Sequence, residues 1–296
     1  LKFRDHCRVK KTALPYPLAV LVLGIMAFFA VKYVNDLNSR LLTAATIPEE
    51  EAQAKPKLFI LTGQSNMVGI VELPEEEFRS NPKILVFDYD GQWKTAIEAK
   101  DGSEADRAPG NFNPRYGPSL AFANALAERY PEMVIGLVPC AVGDTTISQW
   151  RKSAAEDSLY GSCLKRVRAA SVIGEPAGLL FYQGEADAMD PVRYPNAERL
   201  PHAWASEFER YVLDWRGDLG MEELPVAFAQ LGSNRAPDKF IHWDAVKEQQ
   251  ASVHLPFTAM IKTDDLELAD TVHFTSESYQ AIGRRFADAY VELTTK

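Results

Sequence analysis

The chain has no C-x-x-C pair, and its three cysteines and five histidines never cluster at metal-ligand spacing, so neither a metal site nor a dithiol redox centre is expected. Internal repeats and low-complexity tracts are missing too, which sets aside solenoids and arrays. Positive charge is scarce beyond the amino-terminal segment. Residues 1–40 hold seven Lys/Arg and two Asp/Glu, a net of +5, whereas the remainder holds 25 basic against 39 acidic residues, a net of −14. Such a surface cannot neutralise a row of phosphates, which excludes nucleic acid as a partner. With 46% hydrophobic and 25% charged residues, disorder is equally excluded.

Charge of either sign is absent from Thr12 to Val31. Twenty residues at about 1.5 Å per residue reach the roughly 30 Å of a bilayer core. Lys2, Arg4, Arg8, Lys10 and Lys11 precede this run, so the positive-inside rule puts residues 1–11 in the cytoplasm as a basic tail. Residues 12–34 are then expected to form one transmembrane signal anchor, 35–56 a linker, and 57–296 an extracytoplasmic catalytic domain. A cleaved signal peptide with a secreted product is the alternative, disfavoured by the run's length and by Phe28-Phe29 ahead of Ala30. Pro15 and Pro17 disfavour a buried core helix. Cys7 would be cytoplasmic. Cys140 and Cys163 would share an oxidising compartment and either pair or remain two buried thiols, Cys140 closing an apolar strand.

Beyond residue 56, strand-like apolar runs alternate with helical periodicity. The strands are expected at Leu58–Leu61, Ile84–Phe87, Val134–Val138, Leu179–Tyr182, Val226–Leu231 and Thr258–Ile261. The helices are expected at Ser119–Arg129, Leu159–Ala170, Ala203–Leu219, Trp243–Val253 and Ser276–Leu293. This alternation predicts a three-layer α/β/α sandwich with a central parallel sheet. Active residues of such sheets gather at the carboxyl ends of the strands. Four small or polar clusters fall there: Gly63-Gln64-Ser65-Asn66, Ala141 to Thr146, Gln183 to Asp187, and Asp264 to His273.

Ser65 is either a nucleophile leaving the first strand or a helix N-cap. His273 differs from the other histidines: Asp270 lies three residues earlier, just ahead of the last helix, whereas His202, His242 and His254 lie in or beside helices without an acidic residue suited to orient them towards a strand edge. That pair is either a base with its orienting acid or a capping pair. Candidate oxyanion donors are the Ser65 N–H, the Gly143 N–H and the Gln183 side-chain amide. Gln64 and Asn66 are placed to support the serine turn. Arg115, Tyr116 and Trp150 are candidates for substrate contact near the cleft, an aromatic stacking on a sugar ring and an Arg pairing with a carboxylate.

Gly-Gln-Ser-Asn-Met after a strand, a later glycine loop, Gln-Gly-Glu-x-Asp after another strand, and Asp-x-x-His before the last helix together resemble the SGNH hydrolase superfamily. Within it the chain looks like the sialate O-acetylesterase / carbohydrate esterase family 6 branch, which includes acetylxylan esterases. The resemblance spans about Lys57 to Tyr290. It implies Ser65 as nucleophile, His273 as base, Asp270 as its orienting residue, and Gly143 and Gln183 in the oxyanion hole. Glu185 and Asp187 match the Gln-Gly-Glu-x-Asp pattern, Glu185 holding Gln183 or its loop rather than acting as an acid. Tyr182 stands where some members have His, and Asp144 where a second Gly is common. The G-x-S-x-G elbow of α/β-hydrolases is absent. The implied activity is removal of O-acetyl groups from carbohydrates, with no metal or organic cofactor. The alternatives are a non-catalytic carbohydrate-binding protein and an acyl hydrolase of lipids or thioesters.

Overall fold

Seven strands form one sheet in the order β3-β2-β4-β1-β5-β6-β7. They are β1 (Lys57–Gly63), β2 (Ile84–Phe87), β3 (Trp93–Thr95), β4 (Ile135–Pro139), β5 (Glu175–Tyr182), β6 (Val226–Ala229) and β7 (Thr258–Ile261). The helices are a single turn α1 (Ser65–Val68), α2 (Ser119–Arg129), α3 (Leu159–Ala170), α4 (Trp204–Leu219), α5 (Trp243–Ala251) and α6 (Ser276–Thr294), with a 3₁₀ turn at Ile147–Trp150. The structure is a computed structural model describing residues 55–71, 81–95 and 117–295. The basic tail, the anchor expected at 12–34, Cys7 and nearly all of the 35–56 linker lie outside the described residues. Among the described residues no helix is long and apolar enough to cross a membrane.

Every strand and helix expected beyond residue 56 is present. The sheet is nevertheless mixed rather than wholly parallel, because β3 runs antiparallel to β2. A five-residue turn joins them, with Gly91 at φ 74° and the Asp88 carboxylate accepting the Gln92 N–H at 2.8 Å. Asp90-Gly91 is a hairpin signal. Trp93-Lys94-Thr95 is too short to show a period.

Alternating side chains divide the core between the two faces of the sheet. On one face Phe59 meets Phe122 of α2 and Tyr290 of α6 edge-on, both at 4.9 Å. On the other, Phe181 packs against Phe208 and Tyr211 of α4 at 5.1 Å each. Cys140 and Cys163 form a disulfide that ties the end of β4 to α3, in place of the two buried thiols that an apolar strand end suggested. From β1 the chain passes to β2 and the edge strand β3 and returns to insert β4 beside β1, and it then crosses to the other side and runs outward through β5, β6 and β7. The switch point of the topology, where open α/β sheets bind ligands, therefore lies at the carboxyl ends of β4, β1 and β5.

Candidate active site

Gly63 ends β1 at φ 126°, and a Cβ there would lie 2.1 Å from the Tyr182 carbonyl oxygen of β5. Only glycine allows the chain to turn this close to its neighbour, and the Gln64 N–H then donates to that same oxygen at 2.7 Å. Ser65 thereby becomes the first residue of α1. The N-cap is Gln64, so the Ser65 hydroxyl is not a cap. It lies 2.8 Å from His273 Nε2 instead. Among the described residues its N–H has no acceptor.

His273 Nδ1 sits 2.7 Å from Asp270 Oδ2. The other oxygen, Oδ1, accepts the N–H groups of Val272 at 2.9 Å and His273 at 2.8 Å. Asp270 caps no helix, since the N-cap of α6 is Thr275, whose side chain accepts the Ser278 N–H. A tight loop with a Leu268–Phe274 bridge at its base thus carries both residues. Partial burial raises the Asp270 carboxyl, but the hydrogen bonds from His273 and Val272 outweigh it and hold the group below its ordinary value. The Asp270 side chain is 45% exposed and that of His273 21%, so water reaches this end of the line.

Asn66 joins four elements. Its Nδ2 donates to Glu185 Oε1 at 2.5 Å and to the Val272 carbonyl at 3.0 Å, and its Oδ1 accepts from Tyr279 of α6 at 2.8 Å. Glu185 is buried and its Oε2 has no partner among the described residues. Burial raises its pKa above the ordinary value, against the lowering hydrogen bond from Asn66 and charge of His273. Glu185 therefore holds Asn66 and, through a bond to its own backbone, the loop it sits in; of the two partners the motif suggested it takes the loop and not Gln183.

Gln183 departs from its expected role. Its Nε2 lies 2.7 Å from Asp187 Oδ2, 2.8 Å from the Thr145 carbonyl and 3.2 Å from Gln64 Oε1, while its Oε1 accepts the Trp204 indole N–H at 2.8 Å. Two amide hydrogens divided among three internal acceptors leave none for an oxyanion. The side chain is wholly buried and braces the loops beneath the site. Gln64 Oε1 also faces the N–H groups of Gly184 at 3.3 Å and Ala186 at 3.2 Å, which fixes the serine turn to the β5 loop. Asp187 likewise accepts from Ile147 at 2.7 Å and Leu200 at 2.9 Å. Burial pushes its carboxyl up to about 6, with the bonds from Leu200, Ile147 and Gln183 opposing.

Gly143 lies in the loop after β4, where the Val142 N–H donates to the Gly63 carbonyl at 2.9 Å and so aligns this loop with the serine turn. Asp144 beside it is exposed and holds φ 56°. That left-handed conformation suits glycine and is tolerated by Asp, which accounts for the substitution. Tyr182 is buried, its hydroxyl 3.1 Å from Thr263 Oγ1, on the face away from Gln183.

Trp150 is a core residue, not a substrate contact. It is fully buried, edge-on to Phe181 and Tyr211, with its indole N–H on Thr145 Oγ1 at 3.1 Å. Arg115 and Tyr116 lie outside the described residues. Thr145, Trp204 and Tyr279 were not foreseen. Thr145 belongs to the 141–146 cluster but was not singled out within it, whereas Trp204 and Tyr279 sit on helices and look like ordinary core positions. Among the described residues no three His, Cys, Asp or Glu side chains converge to hold a metal ion.

Residues 55–292 match the family described as carbohydrate esterase, sialic acid-specific acetylesterase. An Arabidopsis thaliana protein named "Probable carbohydrate esterase" is 30% identical over 263 residues, covering 82% of this chain and 94% of the plant protein. The crystal structure of an Arabidopsis thaliana protein superposes with a TM-score of 0.65 at 28% identity, over 80% of this chain and 98% of that one. A carbohydrate acetylesterase from Xanthomonas citri (TM-score 0.62, 19% identity, 81% of this chain and 57% of that one) and NanS (0.61, 17%, 82% and 98%) share the fold. The chain therefore belongs to the sialic acid-specific acetylesterase family of carbohydrate esterases, hydrolases that act on ester bonds.

Proposed function

We propose that this protein removes O-acetyl groups from carbohydrates through a Ser65–His273–Asp270 triad and an acetyl-enzyme intermediate. The observation that carries the reading is the unbroken line from Ser65 Oγ through His273 to Asp270, at 2.8 and 2.7 Å. His273 Nε2 takes the Ser65 proton as Oγ attacks the acetyl carbonyl, and Asp270 stabilises the imidazolium and fixes its tautomer. The N–H of Ser65 receives the oxyanion, with Gly143 on the adjoining loop as the second donor. Collapse expels the sugar alkoxide, which leaves with the proton from His273. Water then adds to the acetyl carbonyl, its proton passing to His273 and on to Ser65 Oγ as acetate departs.

The test is hydrolysis of 4-nitrophenyl acetate, butyrate and octanoate by the full-length chain and its Ser65→Ala variant. Activity that is highest on acetate and absent in the variant supports the reading. Retained activity in the variant sinks the nucleophile assignment. A preference for octanoate would point to a lipid or thioester acyl hydrolase, and a folded but inert wild type to a carbohydrate-binding protein.

The same reading places the domain outside the cytoplasm, anchored through residues 12–34. It is supported by the uncharged run from Thr12 to Val31 behind five basic residues and by the Cys140–Cys163 disulfide, a bond that persists in oxidising compartments. Amino-terminal sequencing of protein recovered from membranes separates an uncleaved anchor from a cleaved signal.

A further inference from the structure

The β6–α5 loop, the head of α5 and Asp264 in the loop after β7 enclose a cleft of about 460 Å³ at the carboxyl edge of the sheet. Asn234, Ile241, Trp243, Asp244, Lys247 and Asp264 line it. One loop separates it from the triad. The Arg235 N–H donates to the Thr271 carbonyl at 2.9 Å, inside the Asp270–His273 loop, and Ser233 Oγ donates to the Asp264 carbonyl at 3.2 Å. The wall of the cleft is thus bonded to the loop that carries the base.

Its chemistry is that of a site for hydroxyl groups on an apolar ring face. Trp243 donates its indole N–H to the Gly232 carbonyl at 2.9 Å and packs edge-on against Phe240 at 5.4 Å, so it supplies apolar floor. Ile241 extends that floor and is 51% exposed. Asn234 Oδ1 accepts the Ala236 N–H at 2.7 Å, and among the described residues its amide hydrogens are free for a ligand. The exposed Asp244 carboxylate has no partner among the described residues, and Asp264 has one oxygen left after its ion pair with Lys247. Carboxylate acceptors and amide donors side by side suit a vicinal diol, which offers both. Two carboxylates against one ammonium, already paired, disfavour an anionic ring. The volume lies within the about 300–1,000 Å³ usual for small-ligand clefts.

We propose that this cleft is a subsite for an uncharged sugar residue of the same glycan that bears the acetyl group, which rests on the reading of Ser65 as a carbohydrate deacetylase. The subsite anchors the glycan through ground-state binding, apart from the bond-breaking step. Its test is calorimetric titration of the full-length chain with xylotetraose, cellotetraose and chitotetraose, beside an Ile241→Arg/Asp244→Ala double variant. Both substituted side chains are exposed, and an unchanged melting temperature verifies the fold. At least one tetrasaccharide should bind the wild type, with affinity falling about tenfold or more in the variant. KM for the acetylated form of that tetrasaccharide should rise by a similar factor, with kcat and all 4-nitrophenyl acetate kinetics unchanged. Binding of none of the three, or equal binding by both proteins, overturns the subsite. If binding is lost in the variant but the wild type hydrolyses no acetate ester, the deacetylase reading fails and the sugar site stands.

Discussion

Asn66 and Val272 stand 206 positions apart in the chain and share a hydrogen bond of 3.0 Å, so the residue after the proposed nucleophile is tied to the loop that carries the proposed base. Tyr279 and Glu185 hold the same side chain from two other directions. The separation of Ser65 and His273 is therefore set by a side chain that touches neither reacting atom. Asn66→Ala should lower kcat on 4-nitrophenyl acetate by about 10- to 100-fold, the scale of a sub-ångström misplacement, with little change in KM. Tyr279→Phe removes one of the three bonds and should do the same more weakly. Wild-type kcat in Asn66→Ala would show that the serine turn keeps its place without this link.

Asp270 is half open to solvent, and its loss should be milder than that of a buried triad acid. Water can approach His273 Nδ1 once the carboxylate is gone. Asp270→Asn should cost about 100- to 1,000-fold in kcat, short of the roughly 10⁴-fold known for a buried counterpart. Steady-state assays at pH 8 measure it, and a loss below threefold would remove Asp270 from the reaction.

Glu185 couples stability to pH. Its folded pKa is raised above the ordinary 4.5, so the folded chain holds this proton more tightly than the unfolded one. That contribution is complete below the unfolded pKa and is lost as pH rises through the folded value. Glutamine keeps the acceptor for Asn66 but cannot ionise. Glu185→Gln should match the wild type in urea unfolding near pH 4 and exceed it at pH 8. A difference independent of pH would mean that Glu185 has the same pKa in the folded and unfolded chains.

The disulfide closes a sequence separation of 23 residues between β4 and α3. Loop-closure entropy of that length corresponds to about 3 kcal/mol. Cys140→Ser/Cys163→Ser should unfold at lower denaturant by that margin while keeping its kcat at 25 °C, because neither sulfur reaches the triad. Unchanged unfolding in reducing and oxidising buffer would show that the bond contributes nothing.

Much of this was legible in the sequence because β-rich runs and glycine-bearing loops alternate so regularly. Ser65, Asp270 and His273 could be singled out as candidates from a strand-end serine and the Asp-x-x-His spacing, with their roles implied by the family resemblance, and the 2.8 and 2.7 Å contacts bring the three together. Three-dimensional hydrogen-bond saturation was not legible. Gln183 looks like a free amide in sequence and is fully engaged because Asp187, Thr145, Gln64 and Trp204 converge on it from four segments. Trp150 sits in a loop-like stretch, yet its indole N–H has an internal acceptor that lets the ring enter the core. The antiparallel β3 was missed because three residues are too few to show a period.

The strand that presents Ser65 lies in the middle of the sheet, between β4 and β5, while His273 follows the last strand, 208 residues further on. During synthesis β1 emerges first and waits for both neighbours, and the Ser65–His273 contact closes only when the carboxyl-terminal hairpin loop and α6 have docked. Under the proposed mechanism, hydrolytic activity is thus a reporter of completed folding: a nascent chain released before α6 carries the proposed nucleophile without its proposed base in place.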